Sequence, residues 1–314
     1  VEDYNCAQVS INLTDYKVTP MHLAYDAACE LADARGIAIT GSEVVGVVPF
    51  DAIRESGRHY LRKMMKSTGI PVRDVMTTAV QSLGLADVAD FDIDRKVIGM
   101  PVQDGALVNR TVADFVDEVS RDTPAPGGGS IAALAGAIGS ALASMVVNLS
   151  VGNGAYDDRY DALCELAEAA QDCKDRLLRA VDEDTEAFNG VIAGMRMAKD
   201  TGAQRAARDA AIQAGYRAAA EVPMQTARLC RQVLDLCQQA ADVGNRAVMS
   251  DAGVGALMAL AGVQGAIHNV RINLPHTGDA EFIAGMEQDL DSLIEESRTL
   301  CDTIQRQVEA SFAG

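Results

Sequence analysis

From Thr123 to Tyr156 the chain carries no charged side chain. The stretch opens on Pro124-Ala125-Pro126-Gly127-Gly128-Gly129-Ser130 and runs on in small and apolar residues. It is long enough on paper to span a bilayer. However, its bulk comes from Ala, Gly and Ser, no basic cluster flanks it, and it lies in mid-chain. A buried helix in a helix-rich domain fits those facts better. Three consecutive glycines are free to adopt positive φ and to lie close against a ligand. Ser130 suits an N-cap, and the helix N-terminus behind it would offer unpaired N–H groups to an anionic or carbonyl-bearing ligand. No Gly-Lys-Ser/Thr follows the glycines, so this is not a phosphate loop. Gly136, Ser140 and Ser144 recur every four positions, so one face could approach a neighbouring backbone closely. The loop Gly127–Ser130 is therefore the first candidate binding site; the plain alternative is a connector before a helix.

The two halves differ in residue pattern. Up to about residue 100 the pattern is mixed α/β. Val9-Ser10-Ile11-Asn12-Leu13 alternates like a half-buried strand. Thr19-Pro20 opens a helix to about Ala34, with Thr19 as N-cap. Glu43 to Val48 is apolar and β-branched and predicts a second strand, followed by a helix from Phe50 to about Lys66 and a shorter one from Val72 to about Gly84. This order favours a small α/β sandwich. From about Thr111 the pattern is all helix. No proline falls between Pro126 and Pro223, and good helix formers dominate. Helices are expected near 111–121, 130–150, 158–198, 203–241, 248–273 and 278–311, with Pro223 kinking or dividing the fourth. The expected fold is α+β overall: a sandwich at 1–100, a linker at 101–110 around Asp104-Gly105, and a long-helix bundle at 111–314.

Acidic residues number 45 against 27 basic, a net charge of −18, which argues against nucleic acid and anionic membranes as partners. The seven cysteines are scattered without a CxxC pair, so reduced thiols in a cytoplasmic protein are expected rather than disulfides or a metal site. No signal peptide or initiator Met is visible at Val1, which suggests a fragment or processed chain.

Several motifs now stand in order: the PAPGGGS loop; Val181-Asp182-Glu183-Asp184-Thr185-Glu186-Ala187-Phe188; Gly244-Asn245 with Ser250-Asp251; and Asn269-Val270-Arg271-Ile272-Asn273-Leu274. In this order, residues 110–314 resemble the cyclodeaminase domain of the formimidoyltransferase-cyclodeaminase family, bifunctional folate enzymes of histidine breakdown. Ala7–Leu13, Val18-Thr19-Pro20 and Gly41–Pro49 resemble the C-terminal subdomain of that family's transferase. The resemblance implies a complete cyclodeaminase domain and half a transferase, with no transferase activity from this chain alone. It also implies dimers assembled into rings. The expected reaction converts 5-formimidoyltetrahydrofolate to 5,10-methenyltetrahydrofolate and ammonia. The alternatives are a methenyltetrahydrofolate cyclohydrolase and a non-catalytic folate-binding or oligomer-forming module.

The resemblance assigns the acidic motif to catalysis, with Asp184 first and Asp182 second; read alone, Asp182 and Glu186 form a solvated acidic face. A carboxyl in a partly apolar pocket has its pKa raised and can shuttle the proton that lets ammonia leave. His268 is a weaker candidate for proton transfer, and a lone histidine there reads equally as a core or interface residue. Gly127, Gly128, Gly129 and Ser130 would approach the flat pterin. Arg246 and Arg271, inside matched motifs, would receive the glutamate tail, with Lys199, Arg205 and Arg208 as further cations. Asn245, Ser250, Asp251 and Asn269 would bind substrate; Ser250-Asp251 serves equally well as a helix cap. No metal and no cofactor beyond the folate substrate is expected. The small-residue faces of 130–149 and Ala252–Ala266 predict a homo-oligomer.

Overall fold

In a computed structural model of the chain, residues 6–101 and 104–312 are described. They fall into two compact units, Val1–Val102 and Gln103–Gly314. Residues 102 and 103 of the expected linker lie outside the described residues.

The first unit contains α1 (Met21–Asp33), β1 (Val48–Pro49), α2 (Phe50–Lys63), α3 (Val72–Ser82), α4 (Ile93–Lys96) and β2 (Val97–Ile98). The strands pair in parallel, Val48 with Val97 and Pro49 with Ile98. Its core gathers Ile53, Tyr60, Met76, Ala79 and Leu83 between α2 and α3. Gly57 allows that crossing, because a Cβ there would overlap the Val75 carbonyl. Two expected strands are corrected. Val9–Leu13 forms none, and Glu43–Val48 contracts to β1. Strands hold through hydrogen bonds to neighbours, and here the alternating side chains lack one: Val9 and Val45 are 78% and 86% exposed. A polar clasp holds α1 to α2. The Asp26 carboxylate accepts from His59 Nε2, the Tyr60 hydroxyl and Lys63 Nζ, each at 3.0 Å. His22 stacks on His59 at 4.1 Å, and burial together with that neighbour pushes its imidazole pKa below the ordinary 6.5.

The second unit is helical throughout: α5 (Val112–Val119), α6 (Gly128–Asn148), α7 (Tyr160–Met195), α8 (Gly202–Val243), α9 (Met249–Asn273) and α10 (Ala280–Phe312). Side-chain contacts fix the directions. Ser130 meets Val181 and Ser140 meets Ala170, so α7 runs antiparallel to α6. Cys230 and Cys237 approach the Ala132 and Gly139 carbonyls, so α8 runs parallel to it. Helix α6 is long and apolar enough to cross a membrane, but two-thirds of its apolar window is buried within this bundle. Residues 104–109, expected as linker, are folded onto α7: Leu107 is buried and donates its N–H to Asp182.

Pro223 does not divide the helix: α8 continues through it from Gly202 to Val243. A proline in a helix strands the carbonyl four residues earlier, here that of Ala219. Asn273 at the end of α9 supplies the missing donor, with Nδ2 3.0 Å from the Ala219 oxygen and 2.8 Å from that of Asn269. Removing a buried partner costs about 1–3 kcal/mol. Asn273→Ala should lower the stability of the helical unit by that order, measured by denaturant unfolding, whereas Asn273→Ala in a Pro223→Ala background should cost less.

Candidate active site

Helix α7 brings Asp184 against the first turn of α6. Gly127 is the N-cap of α6, and α6 has no side-chain cap of its own. The expected cap, Ser130, lies one turn inside and is fully buried. Its Oγ is 2.8 Å from the Val181 carbonyl, 3.3 Å from Asp184 Oδ2 and 3.3 Å from Thr185 Oγ1. Asp184 lies over this first turn from another helix, and the Ser130 hydroxyl is the group of that turn within hydrogen-bond distance of its carboxylate. Burial is the dominant influence on this carboxyl and holds its pKa above the ordinary 3.8, while hydrogen bonding from Ser130 pulls the other way.

The glycines have distinct neighbours. A Cβ on Gly129 would overlap the Asp184 carboxylate, and one on Gly128 would stand 3.0 Å from Asn269 Nδ2. Asn269 is held in place by donating to the Gly265 carbonyl at 2.8 Å. On the α9 side of the loop opens a cavity of about 440 Å³, with a mainly apolar lining that includes Val119, Pro126, Gly127, Gly128, Ile131 and Gly265. Asp184 sits on the α7 side of Gly129. The apolar recess and the half-buried carboxyl thus lie on two sides of the loop backbone.

Other predicted residues are placed elsewhere. Asp182 is two residues from Asp184, so helical geometry turns it about 200° away. It accepts from the Leu107 and Val108 amides at 2.8 and 3.2 Å, and Gly105 packs directly on it. Its carboxylate anchors the incoming chain. Arg271 is likewise turned about 200° from Asn269. It is held by Glu287 at 3.1 Å and Asp291 at 2.6 Å on α10. Asn245, Arg246, Ser250 and Asp251 gather at the opposite end of α9. Ser250 and Asn269 are nineteen residues apart on that helix, roughly 28 Å at 1.5 Å per residue. Asn245 caps the turn Arg246–Val248 through Ala247 N at 3.0 Å, and its own N–H donates to Ser150 at 2.7 Å. Neither Ser250 nor Asp251 caps α9, whose N-cap is Val248. Arg205 and Arg208 donate to backbone carbonyls at the α7–α8 turn, and His268 is exposed. The sequence reading missed Thr185, which carries no motif signal beyond its place beside Asp184.

The tight fit generates a test. Gly129→Ala should destabilise the helical unit by about 1–3 kcal/mol, the usual cost of overpacking. Gly127→Ala should cost less, because its Cβ would meet only the Pro124 carbonyl, at 3.6 Å. Equal losses in thermal unfolding would refute the contact.

A helical bundle with a half-buried carboxyl at a glycine-rich helix start defines an all-α domain with a candidate acid–base site. Family models place it further. That of formiminotransferase-cyclodeaminase matches residues 111–292, and that of the formiminotransferase domain matches residues 1–103. The chain belongs to the formiminotransferase-cyclodeaminase family. It is 33% identical over 314 residues to formimidoyltransferase-cyclodeaminase of Rattus norvegicus, an alignment that takes in 99% of this chain and 58% of that protein. The chain thus spans a little over half the length of such curated relatives. It is 36% identical over 202 residues to methenyltetrahydrofolate cyclohydrolase of Methylorubrum extorquens, covering 64% of this chain and 97% of that one. Among solved structures, formiminotetrahydrofolate cyclodeaminase of Thermotoga maritima superposes with a TM-score of 0.58 at 25% identity, covering 64% of this chain and 97% of that one.

Proposed function

We propose that the chain is a formimidoyltetrahydrofolate cyclodeaminase, converting 5-formimidoyltetrahydrofolate to 5,10-methenyltetrahydrofolate and ammonia. The observation that carries this reading is Asp184, a half-buried carboxyl with no cationic partner among the described residues, held at a glycine-rich turn inside the region matched by the family model. In the reaction N10 attacks the carbon of the formimino group in its protonated, amidinium form, and a C–N10 bond forms as the C=N bond becomes single and its nitrogen an amine. The Asp184 carboxylate takes the proton released from N10 and hands it to the former imino nitrogen. The C–N bond to that nitrogen then breaks and ammonia departs. Burial raises the carboxyl pKa, which suits a group that must both accept and return a proton. The flat pterin is proposed to lie against the Gly127–Gly129 backbone with its reacting edge on the Asp184 side, the apolar recess across the loop taking part of the rest of the folate. No metal is needed for this step.

Asp182 is proposed to support the site through the chain segment it anchors rather than as a second proton carrier. The cluster Asn245, Arg246, Ser250 and Asp251 is too far along α9 to reach the same recess within one chain, yet Arg246 is exposed and makes no ion pair among the described residues. We therefore place its contribution in a homodimer. The face shared by α6 and α9 leaves Ile131, Ile138, Met145, Val254 and Leu257 exposed, with the glycine loop at one end and Arg246 at the other. An antiparallel two-fold pairing of that face would bring the Arg246 of a second copy to each loop, where it could hold a glutamate carboxylate. Assembly of such dimers into rings, a sandwich arrangement of the first unit, a role in histidine degradation and a cytoplasmic location belong to the same proposal. The buried thiols of Cys164, Cys173, Cys230, Cys237 and Cys301 support the last of these.

Mixing the chain with 5-formimidoyltetrahydrofolate and following near-ultraviolet absorbance tests the reading, because the methenyl product absorbs there and the formimino form does not. Asp184→Asn keeps size and polarity but loses the titratable proton, and should lower turnover about a hundredfold or more; full activity in that variant would sink the mechanism. The 36% identity to a cyclohydrolase favours a second reading, hydrolysis of 5,10-methenyltetrahydrofolate, in which the same absorbance decays. A chain that does neither is the non-catalytic folate-binding module. For the dimer, Ile138→Glu should convert a dimer at micromolar concentration into a monomer in sedimentation and depress activity with it.

A further inference from the structure

We propose that Ser130 is a positioning residue: its buried hydroxyl acts as a rotor that keeps the Asp184 carboxyl in one place in both of its protonation states. The side chain is 0% exposed, so it cannot meet a substrate directly, and its assignment as a binding residue is replaced by this one. A serine hydroxyl has one hydrogen to give and two lone pairs to receive with. Around Ser130 Oγ stand an obligate acceptor, the Val181 carbonyl at 2.8 Å, a group that can be either donor or acceptor, Asp184 Oδ2 at 3.3 Å, and a second hydroxyl, Thr185 Oγ1 at 3.3 Å.

That arrangement satisfies both forms of the carboxyl. With Asp184 protonated, the Ser130 hydrogen lies on Val181 and the Ser130 oxygen receives the Asp184 proton. With Asp184 ionised, the hydroxyl turns its hydrogen to the carboxylate. The Val181 carbonyl keeps its ordinary bond from the α7 backbone. Thr185 remains available to donate to the Ser130 oxygen. Gly129 packs against the carboxyl, leaving it little room to swing. Among the described residues no charged side chain shifts the Asp184 carboxyl. Helix α6 has none, α9 presents Asn269 beside Gly128, and Asp182 and Glu186 are each turned about 200° from Asp184 on α7. The Ser130 hydroxyl is thus the side chain placed to respond to the proton on Asp184.

The inference rests on Asp184 as proton shuttle for its functional meaning, but its test has a readout of its own. The Asp184 carboxyl is titrated by carbon-detected NMR in the full chain and in Ser130→Ala and Ser130→Cys, which keep or nearly keep the volume and remove the strong donor. The Ser130 bond favours the ionised form, so its loss should move the Asp184 titration to higher pH in both variants. The acid limb of kcat/KM should move with it, lowering the rate on that limb about three- to tenfold while the plateau changes less. Ser130→Thr, which restores a hydroxyl, should return both toward wild type. An unmoved titration in folded Ser130→Ala or Ser130→Cys overturns the proposal, as does an acid limb that fails to follow the titration. A titration that moves in a chain without folate turnover supports the rotor and rejects the proposed reaction instead.

Discussion

The helical unit depends on how closely α6 and α9 approach. The contact is glycine against glycine. A Cβ on Gly139 would lie 2.7 Å from the Gly255 carbonyl, one on Gly255 3.0 Å from the Gly139 carbonyl, and one on Gly262 2.9 Å from the Ala132 carbonyl. Each glycine inside a helix costs about 0.5–1 kcal/mol relative to alanine. The return is backbone-to-backbone packing without intervening side chains, with dispersion over the whole length of α6. Cys230 and Cys237 of α8 fill the hollows these glycines leave, their sulfurs 2.7 Å and 3.1 Å from where a Cβ on Gly262 and Gly255 would stand. Burial drives their thiol pKa values up to about 12. These cysteines are packing residues, too large a change in either direction being resisted by α6, α8 and α9 at once.

The same close approach sets the site. Because α9 runs flush against α6, Asn269 arrives at Gly128, and because α7 packs on the other side, Asp184 arrives at Gly129. An α6 drawn back from either neighbour would leave its first-turn amides open to water. Instead Asp184 closes over that turn as a half-buried carboxyl, its Oδ2 3.3 Å from the Ser130 hydroxyl. A half-buried acid without a cationic partner among the described residues is the setting that the proposed proton transfer would use.

Helix positions were legible in the sequence because periodicity and helix-forming residues are local properties. The bounds of α2, α3 and α6–α10 fall within a few residues of expectation. The first unit's strands were not legible, because Val9–Leu13 and Glu43–Val48 carry the right alternation but a strand exists only with a partner beside it, which alternation cannot report. Pro223 misled for a related reason. Its disruption is a local fact, whereas its repair by Asn273, fifty residues on, is a tertiary one. The loop Gly127–Ser130 reads in sequence as backbone free to lie close against a ligand; within the chain, side chains of α7 and α9 lie against it. Ser130 looked like a cap because capping residues are common before helices; three glycines ahead of it allowed the helix to start earlier.

The motif order carries a more general point about reading helical bundles. Asp182 and Asp184, or Asn269 and Arg271, are neighbours in sequence, yet at 100° per residue each pair must serve opposite faces. Ser250 and Asn269 share a helix, yet at 1.5 Å per residue they stand at opposite ends of it. Conversely Gly129 and Asp184 are far apart in sequence and touch. A cluster of motifs therefore cannot be folded into one pocket by inspection; rise and rotation decide which members can meet. Applied here, they leave Asp184, Ser130, Thr185, Gly128, Gly129 and Asn269 together at one end. Arg246 with its neighbours remains at the other, so that a site using both ends of the α6–α9 face requires two copies of it.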